Sequence, residues 1–108
     1  MIKMETFKPP VSVAKEGKRA LKWLKERKEG RGFTKVGFTR AHQLAEQKPI
    51  SFNTVKRMHS YLARHQVDKK AQGFYRGQYK FPSAGRVAYD AWGGESGKKW
   101  ADKIVERG

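Results

Sequence analysis

The stretch Leu44-Ala45-Glu46-Gln47-Lys48-Pro49-Ile50-Ser51-Phe52-Asn53-Thr54-Val55-Lys56-Arg57-Met58 decides how the chain is read. Pro49 has no backbone N–H and cannot continue a helix, so a helical run to about Gln47 must stop there. Ser51 follows two residues later, and its hydroxyl can accept from the orphan N–H groups of a new first turn. Beyond it, Phe52, Val55, Met58 and Leu62 recur at steps of three and four. That spacing puts them on one face of a helix from about Phe52 to His65. Upstream, Ala41, Leu44 and Ala45 mark the inward side of a shorter helix, with Thr39 as its expected cap.

The same logic works outward. Val13, Gly17, Ala20, Leu21 and Leu24 predict a helix from Ser12, as cap, to about Lys28, stopped by Gly30 and Gly32. Residues 30–38 read as a loop with aromatic anchors. Pro82-Ser83 opens a helix with Ala84, Val87, Ala88 and Ala91 on one side, and Gly93-Gly94 closes it. Gly85 sits inside that helix, where glycine costs stability relative to alanine unless something approaches closely. Ser96 is the expected cap of a last helix to about Glu106, which carries Trp100, Ile104 and Val105. Residues 66–82 read as a long aromatic and basic loop. Residues 1–10 carry no period and end in Pro9-Pro10, so they read as a flexible arm before a single helical domain, 11–108. No stretch alternates as a strand does. The expected fold is all-α, a compact bundle of about four to five short helices.

Composition narrows the function. The chain has 108 residues and no cysteine, which excludes a disulfide framework, a thiolate metal site and a cysteine nucleophile. Its apolar runs are too short to span a membrane, so no membrane partner is expected. No apolar segment near the start reads as a secretory signal, so the protein is expected not to be secreted. Leu, Ile, Val and Phe total only 20 residues, which makes the three Trp and four Tyr important for a core. The net charge is +15, and residues 1–81 carry +14 of it. A soluble chain with that excess points to a polyanion, and inside a cell the obvious one is nucleic acid.

Candidate sites follow the charge. Lys15, Lys18, Lys22 and Lys25 are spaced three, four, three and form a stripe along one helix. The stripe is either a phosphate-tracking surface or a solvated face opposite the core. From Asp68 to Phe81, aromatics and glycines interleave with Lys69, Lys70, Arg76 and Lys80. These rings could stack bases, or fold the loop down over the core. Trp92 and Trp100 flank the double glycine and mark either a packed corner or a partner surface. Catalysis lacks a motif. His59 and His65 are six apart and do not share a helix face, which leaves no two-ligand metal spacing. Asp90 and Glu95 are explained by ion pairs with Arg86, Lys98 or Lys99. No enzyme activity, metal or cofactor is expected.

Two resemblances add to this. The quoted stretch resembles the helix-turn-helix of repressor-type DNA-binding domains, of the form V-A-x-x-x-G-V-S-x-x-T-V-x-R. Ala45 matches the small residue between the helices, Ile50 the apolar turn position, and Ser51 with Thr54-Val55 the start of the second helix. The resemblance implies that Asn53, Lys56 and Arg57 lie at or near groove-facing positions. Asn can pair with adenine, Arg with guanine, and Lys can take a phosphate. Pro49 stands where the family has its turn glycine, so the turn must differ.

From about Val13 onward the chain also resembles a small module of tailed phages and prophages. That module is found alone or attached to head-assembly proteins. The carrying residues include Lys18-Arg19-Ala20-Leu21, Thr39-Arg40-Ala41, Arg64-His65-Gln66-Val67-Asp68-Lys69-Lys70, Phe81-Pro82-Ser83-Ala84-Gly85-Arg86-Val87-Ala88, and Trp92-Gly93-Gly94 with Gly97 and Trp100. The module's acidic version of the middle segment is H-E-V-D-K, and Gln66 stands in place of the glutamate. The expectation is a phage-type basic protein that binds nucleic acid, preferring double-stranded DNA. Arg40, the lysine stripe, Lys69, Lys70, Arg76 and Lys80 would neutralise phosphates, and a helix-turn-helix-like pair would approach a groove. The alternative is a virion-assembly or host-factor-inhibiting module that meets an acidic phage or host protein. The resemblance implies the host cytoplasm or the virion interior.

Overall fold

A computed structural model of the chain describes residues 5–27 and 35–107. Among these, five α-helices and one two-stranded sheet are formed. The first helix, α1 (Val11–Arg27), follows directly on Pro9-Pro10. Val13 N and Ala14 N both donate to the Pro10 carbonyl at 3.0 Å, so Ser12 lies inside the helix and is not its cap. The second helix, α2 (Lys35–Ala45), begins four residues before the expected cap Thr39, so residues 35–38 are helix rather than loop. Its buried residues are Gly37, Arg40, Ala41 and Leu44. Gly37 continues the inward face but has no side chain to signal it. Residues 30–34 of the expected loop, and its glycine stops, lie outside the described residues.

Short strands β1 (Thr6–Phe7) and β2 (Ile50–Ser51) pair antiparallel, Thr6 opposite Ser51 and Phe7 opposite Ile50. Residues 5–10 are therefore docked and do not form a loose arm. Pro9 is fully buried, and Gln47 Nε2 donates to its carbonyl at 3.0 Å. Two-residue strands are too short to show a period in sequence. Residues 1–4 lie outside the described residues.

The third helix, α3 (Phe52–Arg64), starts where expected: Ser51 Oγ accepts from Thr54 N at 3.2 Å. The helix expected to run to about His65 ends at Arg64, and the chain tightens into a 3-10 turn at His65–Lys70, of which residues 66–70 were expected to be loop. Ser83 caps α4 (Ala84–Ala91) through Arg86 N at 3.1 Å. Gly93 and Gly94 end it with φ of +115° and +61°. The last helix, α5 (Gly94–Arg107), starts two residues before the expected cap Ser96. Its cap comes from α1 instead: a Glu16 carboxylate oxygen accepts from Ser96 N at 3.3 Å. That negative charge also suits the positive end of the helix dipole. A side chain at Gly94 would be strained at its φ of +61° and would have to displace the Glu16 carboxylate that lies over it.

α1 is central and packs on α2, α4 and α5, while α3 packs mainly on α5. The core runs through Val13, Ala20, Leu44, Val55, Met58 and Leu62. At Gly17 the backbones of α1 and α2 nearly touch: an added Cβ would lie 2.9 Å from the Ala41 carbonyl oxygen and 3.1 Å from Ala45 N. The small residues of α2 thus serve α1. α2 and α3 are consecutive, but their close partners are other helices, which departs from the helix-turn-helix arrangement. The connection departs as well. Gln47 takes the left-handed φ of 53°, two residues before Pro49, and β2 intervenes. Leu44 and Met58 still meet over Gly93 at the centre of the core.

One ionic group is built into the packing. Asp90, 1 % exposed, accepts from Arg19 Nε at 2.9 Å and from Arg86 Nε at 3.2 Å. Arg86 also donates to the Phe74 carbonyl at 2.8 Å and lies over the rings of Trp23, Phe74 and Phe81. No helix among the described residues is long and apolar enough to cross a membrane.

Candidate nucleic-acid interface

α3 is amphipathic. Val55, Met58 and Leu62 are buried, and Asn53, Lys56, Arg57, Ser60 and Arg64 are exposed. Positions 53, 57, 60 and 64 fall on one face because a helix repeats every 3.6 residues. Together with Lys56, Tyr61 and Trp92 they line an open cleft of about 570 Å³. Among the described residues its lining has three cations and no carboxylate. Lys56 extends over the Phe52 ring at 5.6 Å, which holds its stem along the helix.

The cleft has an aromatic floor. Trp92, the C-cap of α4, stacks on Tyr61 with ring centroids 4.4 Å apart and planes 12° from parallel. Tyr61 stacks in turn on His65 at 4.1 Å. His65 Nδ1 is 3.0 Å from Asp68 Oδ2, and Asp68 fits against Gly85, where a Cβ would lie 3.1 Å from its side chain. Gly85 thus has the close neighbour that its helical position requires. Burial, chiefly, holds the Tyr61 hydroxyl above its ordinary value.

Asn53, Lys56 and Arg57, predicted from sequence, come together in this cleft. Ser60, Tyr61 and Arg64 were missed as a group, although their spacing from Asn53 would have placed them there. Arg40 is the main correction. It is only 6 % exposed and is no surface phosphate ligand. Position 40 lies on the inward face of α2, where its guanidinium covers the Trp92 ring at 5.1 Å and donates to Gln43 Oε1. Its Nε is buried with no hydrogen-bond partner among the described residues. Burial first, and the neighbouring Arg57 second, hold the guanidinium below its ordinary value.

The remaining cations divide. Lys15, Lys18, Lys22 and Lys25 are all exposed on α1, but they do not line the α3 cleft. Lys69 is not available to phosphate: its Nζ is 3.0 Å from Glu95 Oε2 and lies over the Tyr89 ring. Lys70, Arg76 and Lys80 are exposed. In the loop after the 3-10 turn, Phe74 is buried and Phe81 meets Trp23 edge-on at 5.5 Å. Tyr75 and Tyr79 point outward, 49 % and 73 % exposed. Gln78 Oε1 organises the loop by accepting from Gly73 N and Tyr75 N. The phenylalanines pack on the rest of the fold, and the two tyrosines are exposed.

The two tryptophans do not make one partner surface. Trp92 is buried at 8 % exposure beneath Tyr61 and Arg40. Trp100 is half-buried and lines a separate cleft of about 680 Å³ with Phe7, Phe52 and Ile104. They part because the helix start at Gly94 turns the chain between them.

Asp90, Glu95 and Asp102 are engaged. Asp90 holds Arg19 and Arg86, and burial pushes its carboxyl up against their pull. Glu95 accepts from the Tyr89 hydroxyl at 2.7 Å and from Lys69; burial lifts its carboxyl, but these partners outweigh it and the net shift is downward. Asp102 accepts from Lys98 at 2.8 Å and sits 2.7 Å from His59 Nδ1. Burial again opposes these bonds, and the net shift is downward. No group of three or more His, Asp or Glu among the described residues is placed to hold a metal ion. No known protein family, curated protein or solved structure matches the chain.

Proposed function

We propose that this protein binds nucleic acid, with a preference for double-stranded DNA, through the outer face of α3. The observation that carries the reading is the cleft in which Asn53, Lys56, Arg57 and Arg64 lie on the outer side of one helix with no carboxylate among them. An α-helix with one side packed and the other polar and cationic can enter a major groove, where Asn and Arg reach base edges and Lys meets phosphate. The α1 lysines and Lys70, Arg76 and Lys80 add a general attraction to the backbone. The helix-turn-helix likeness enters as the order of α2 and α3 alone. The resemblance to a phage module supplies the setting, a viral protein acting on packaged or host DNA.

The second reading is a module for an acidic phage or host protein. The cleft beside β1 favours it, because Lys8, Lys103 and Arg107 outnumber the carboxylate of Glu5 around Phe7, Phe52 and Trp100 there. A mobility shift with mixed-sequence duplex DNA at two salt concentrations tests the first reading. Binding at low salt that weakens steeply as salt rises supports it. No binding at low salt overturns it and leaves the second.

A further inference from the structure

Residues 71–83 connect the 3-10 turn to α4 as an irregular loop, and the base of that loop is tied shut. Ser83 N donates to the Gly73 carbonyl at 2.8 Å, and a Cβ at Gly73 would lie 2.9 Å from the Lys80 carbonyl oxygen. Phe74, 3 % exposed, anchors one side, and Arg86 donates to its carbonyl. Phe81 anchors the other side on Trp23 of α1. Inside the loop, Gln78 N donates to the Tyr75 carbonyl at 3.0 Å, and the Gln78 side chain accepts from Gly73 N and Tyr75 N. The tip between these anchors is open: residues 75–80 are all exposed, and a Cβ at Gly77 would meet nothing within 4 Å. The tip carries Tyr75 and Tyr79, the two most exposed aromatic rings among the described residues. Its charge has one sign. No Asp or Glu occurs from Lys69 to Tyr89. No carboxylate among the described residues lies within 4 Å of Lys70, Arg76 or Lys80, whereas Lys69 and Lys98 each hold one.

We propose that Tyr75 and Tyr79 form a stacking site for the unpaired bases of a single-stranded nucleic acid, with Arg76 and Lys80 meeting its phosphates. The inference shares with the α3 reading only the class of ligand; it concerns a different surface and does not require duplex binding. A tyrosine ring stacks on any base, because every base has a π-face. A duplex keeps those faces covered by neighbouring pairs, so exposed rings select a strand whose bases are unpaired. Lys80 Nζ lies 5.6 Å from the Tyr79 ring centre, which puts a cation beside the more exposed ring. Arg76 rests on the Phe81 ring at 5.5 Å, which fixes a second cation on the same loop. Backbone phosphates are drawn to such cations whatever the sequence of the strand. The closed base also matters, because a segment already held in place loses little freedom when a ligand arrives. Phe74 and Phe81 supply that hold, and the tyrosines between them stay available.

The test is fluorescence anisotropy of the full-length protein at low salt with labelled probes: a short thymidine strand, an abasic strand of the same length, and mixed-sequence duplex DNA. The two single strands carry the same phosphates and differ only in their bases. The expected result is tighter binding of the thymidine strand than of the abasic one. Tyr75→Ala and Tyr79→Ala should each weaken binding of the thymidine strand about tenfold. Both should leave the abasic strand and the thermal unfolding midpoint unchanged. Tyr79→Phe, which keeps the ring, should bind as the unaltered protein does. Equal affinity for the thymidine and abasic strands overturns the site, as does an undiminished thymidine preference when both tyrosines are replaced by Ala. Duplex binding with equal affinity for the two single strands overturns the site and leaves the α3 reading standing. A thymidine preference that is lost with the tyrosines, without any duplex binding, supports the site and overturns the duplex reading.

Discussion

Gly17 of α1 lies against Ala41 of α2 so closely that a Cβ would sit 2.9 Å from the Ala41 carbonyl oxygen. In isolation, Gly17→Ala would stabilise a helix interior by about 1 kcal/mol. Here the new methyl meets backbone, which cannot swing aside, and overpacking of this kind costs about 1–3 kcal/mol. The net expectation is a loss of stability, read as a lower urea midpoint with an unchanged slope. An increase would mean that α1 and α2 can separate without cost.

Gln66 occupies a position where an amide is needed. Its Nε2 donates to the Leu62 carbonyl and to the Tyr89 hydroxyl, both at 2.8 Å, while that hydroxyl donates onward to Glu95. Gln66→Glu replaces a donor with a carboxylate facing a carbonyl oxygen. At neutral pH it should cost about 1–3 kcal/mol, the penalty of stranding partly buried acceptors. Denaturation at pH 7 and at about pH 4.5, near the ordinary carboxylate range, checks this. Protonation of the introduced carboxylate should restore part of the loss.

Stability should fall in acid, and the direction follows from the carboxylates. Glu95 and Asp102 are held below their ordinary values, so they contribute stability above the unfolded carboxylate range. That contribution is lost as pH drops through their folded values, below about pH 4. Asp102→Asn should flatten the acid decline and cost less than about 1 kcal/mol at pH 7, because its ion pairs are partly solvated. Asp90 acts the other way: its raised value lets the folded state take up a proton before the unfolded chain does. Removing its titration with Asp90→Asn should steepen the acid decline. Thermal unfolding from about pH 3 to neutrality separates the two variants.

If α3 carries DNA binding, the salt dependence should localise to it. Removing one phosphate-bound cation lowers the slope of log affinity against log salt by about 0.9. Lys56→Ala, Arg57→Ala and Arg64→Ala combined should reduce the slope by about 2–3. Lys69→Ala should leave it unchanged, because Lys69 is tied to Glu95. An equal effect of both would show that net charge alone drives binding.

Signals confined to a few neighbouring residues were legible in sequence. Ser51 and Ser83 open the helices that they were expected to open, because an N-cap needs only a hydroxyl and the N–H three residues on. The inward face of α3 was legible for the same reason. Thr39 and Ser96 look equally good as caps and are not. The face of α2 continues back through Gly37, which has no side chain, and α5 takes its cap from Glu16, 80 residues away in sequence.

The candidate site was legible in part. Asn53, Lys56 and Arg57 sit on the outward side of a helix whose inward side is plain from spacing. Arg40 was misplaced because nothing local distinguishes a buried arginine from an exposed one. Its environment is set by Trp92, which reaches it only through the packing of α2 against α4.

The amino-acid order alone thus determined an all-α chain, its helix breaks and a basic outer face on α3, since each follows from periodicity or from a residue's own backbone chemistry. Tertiary structure alone decided which cations are free to act. The charge of Arg19, Lys69 and Arg86 is consumed by carboxylates on other turns and other helices, and that of Arg40 is buried against the Trp92 ring. Electrostatic pairing depends on distance in space, and composition does not carry it.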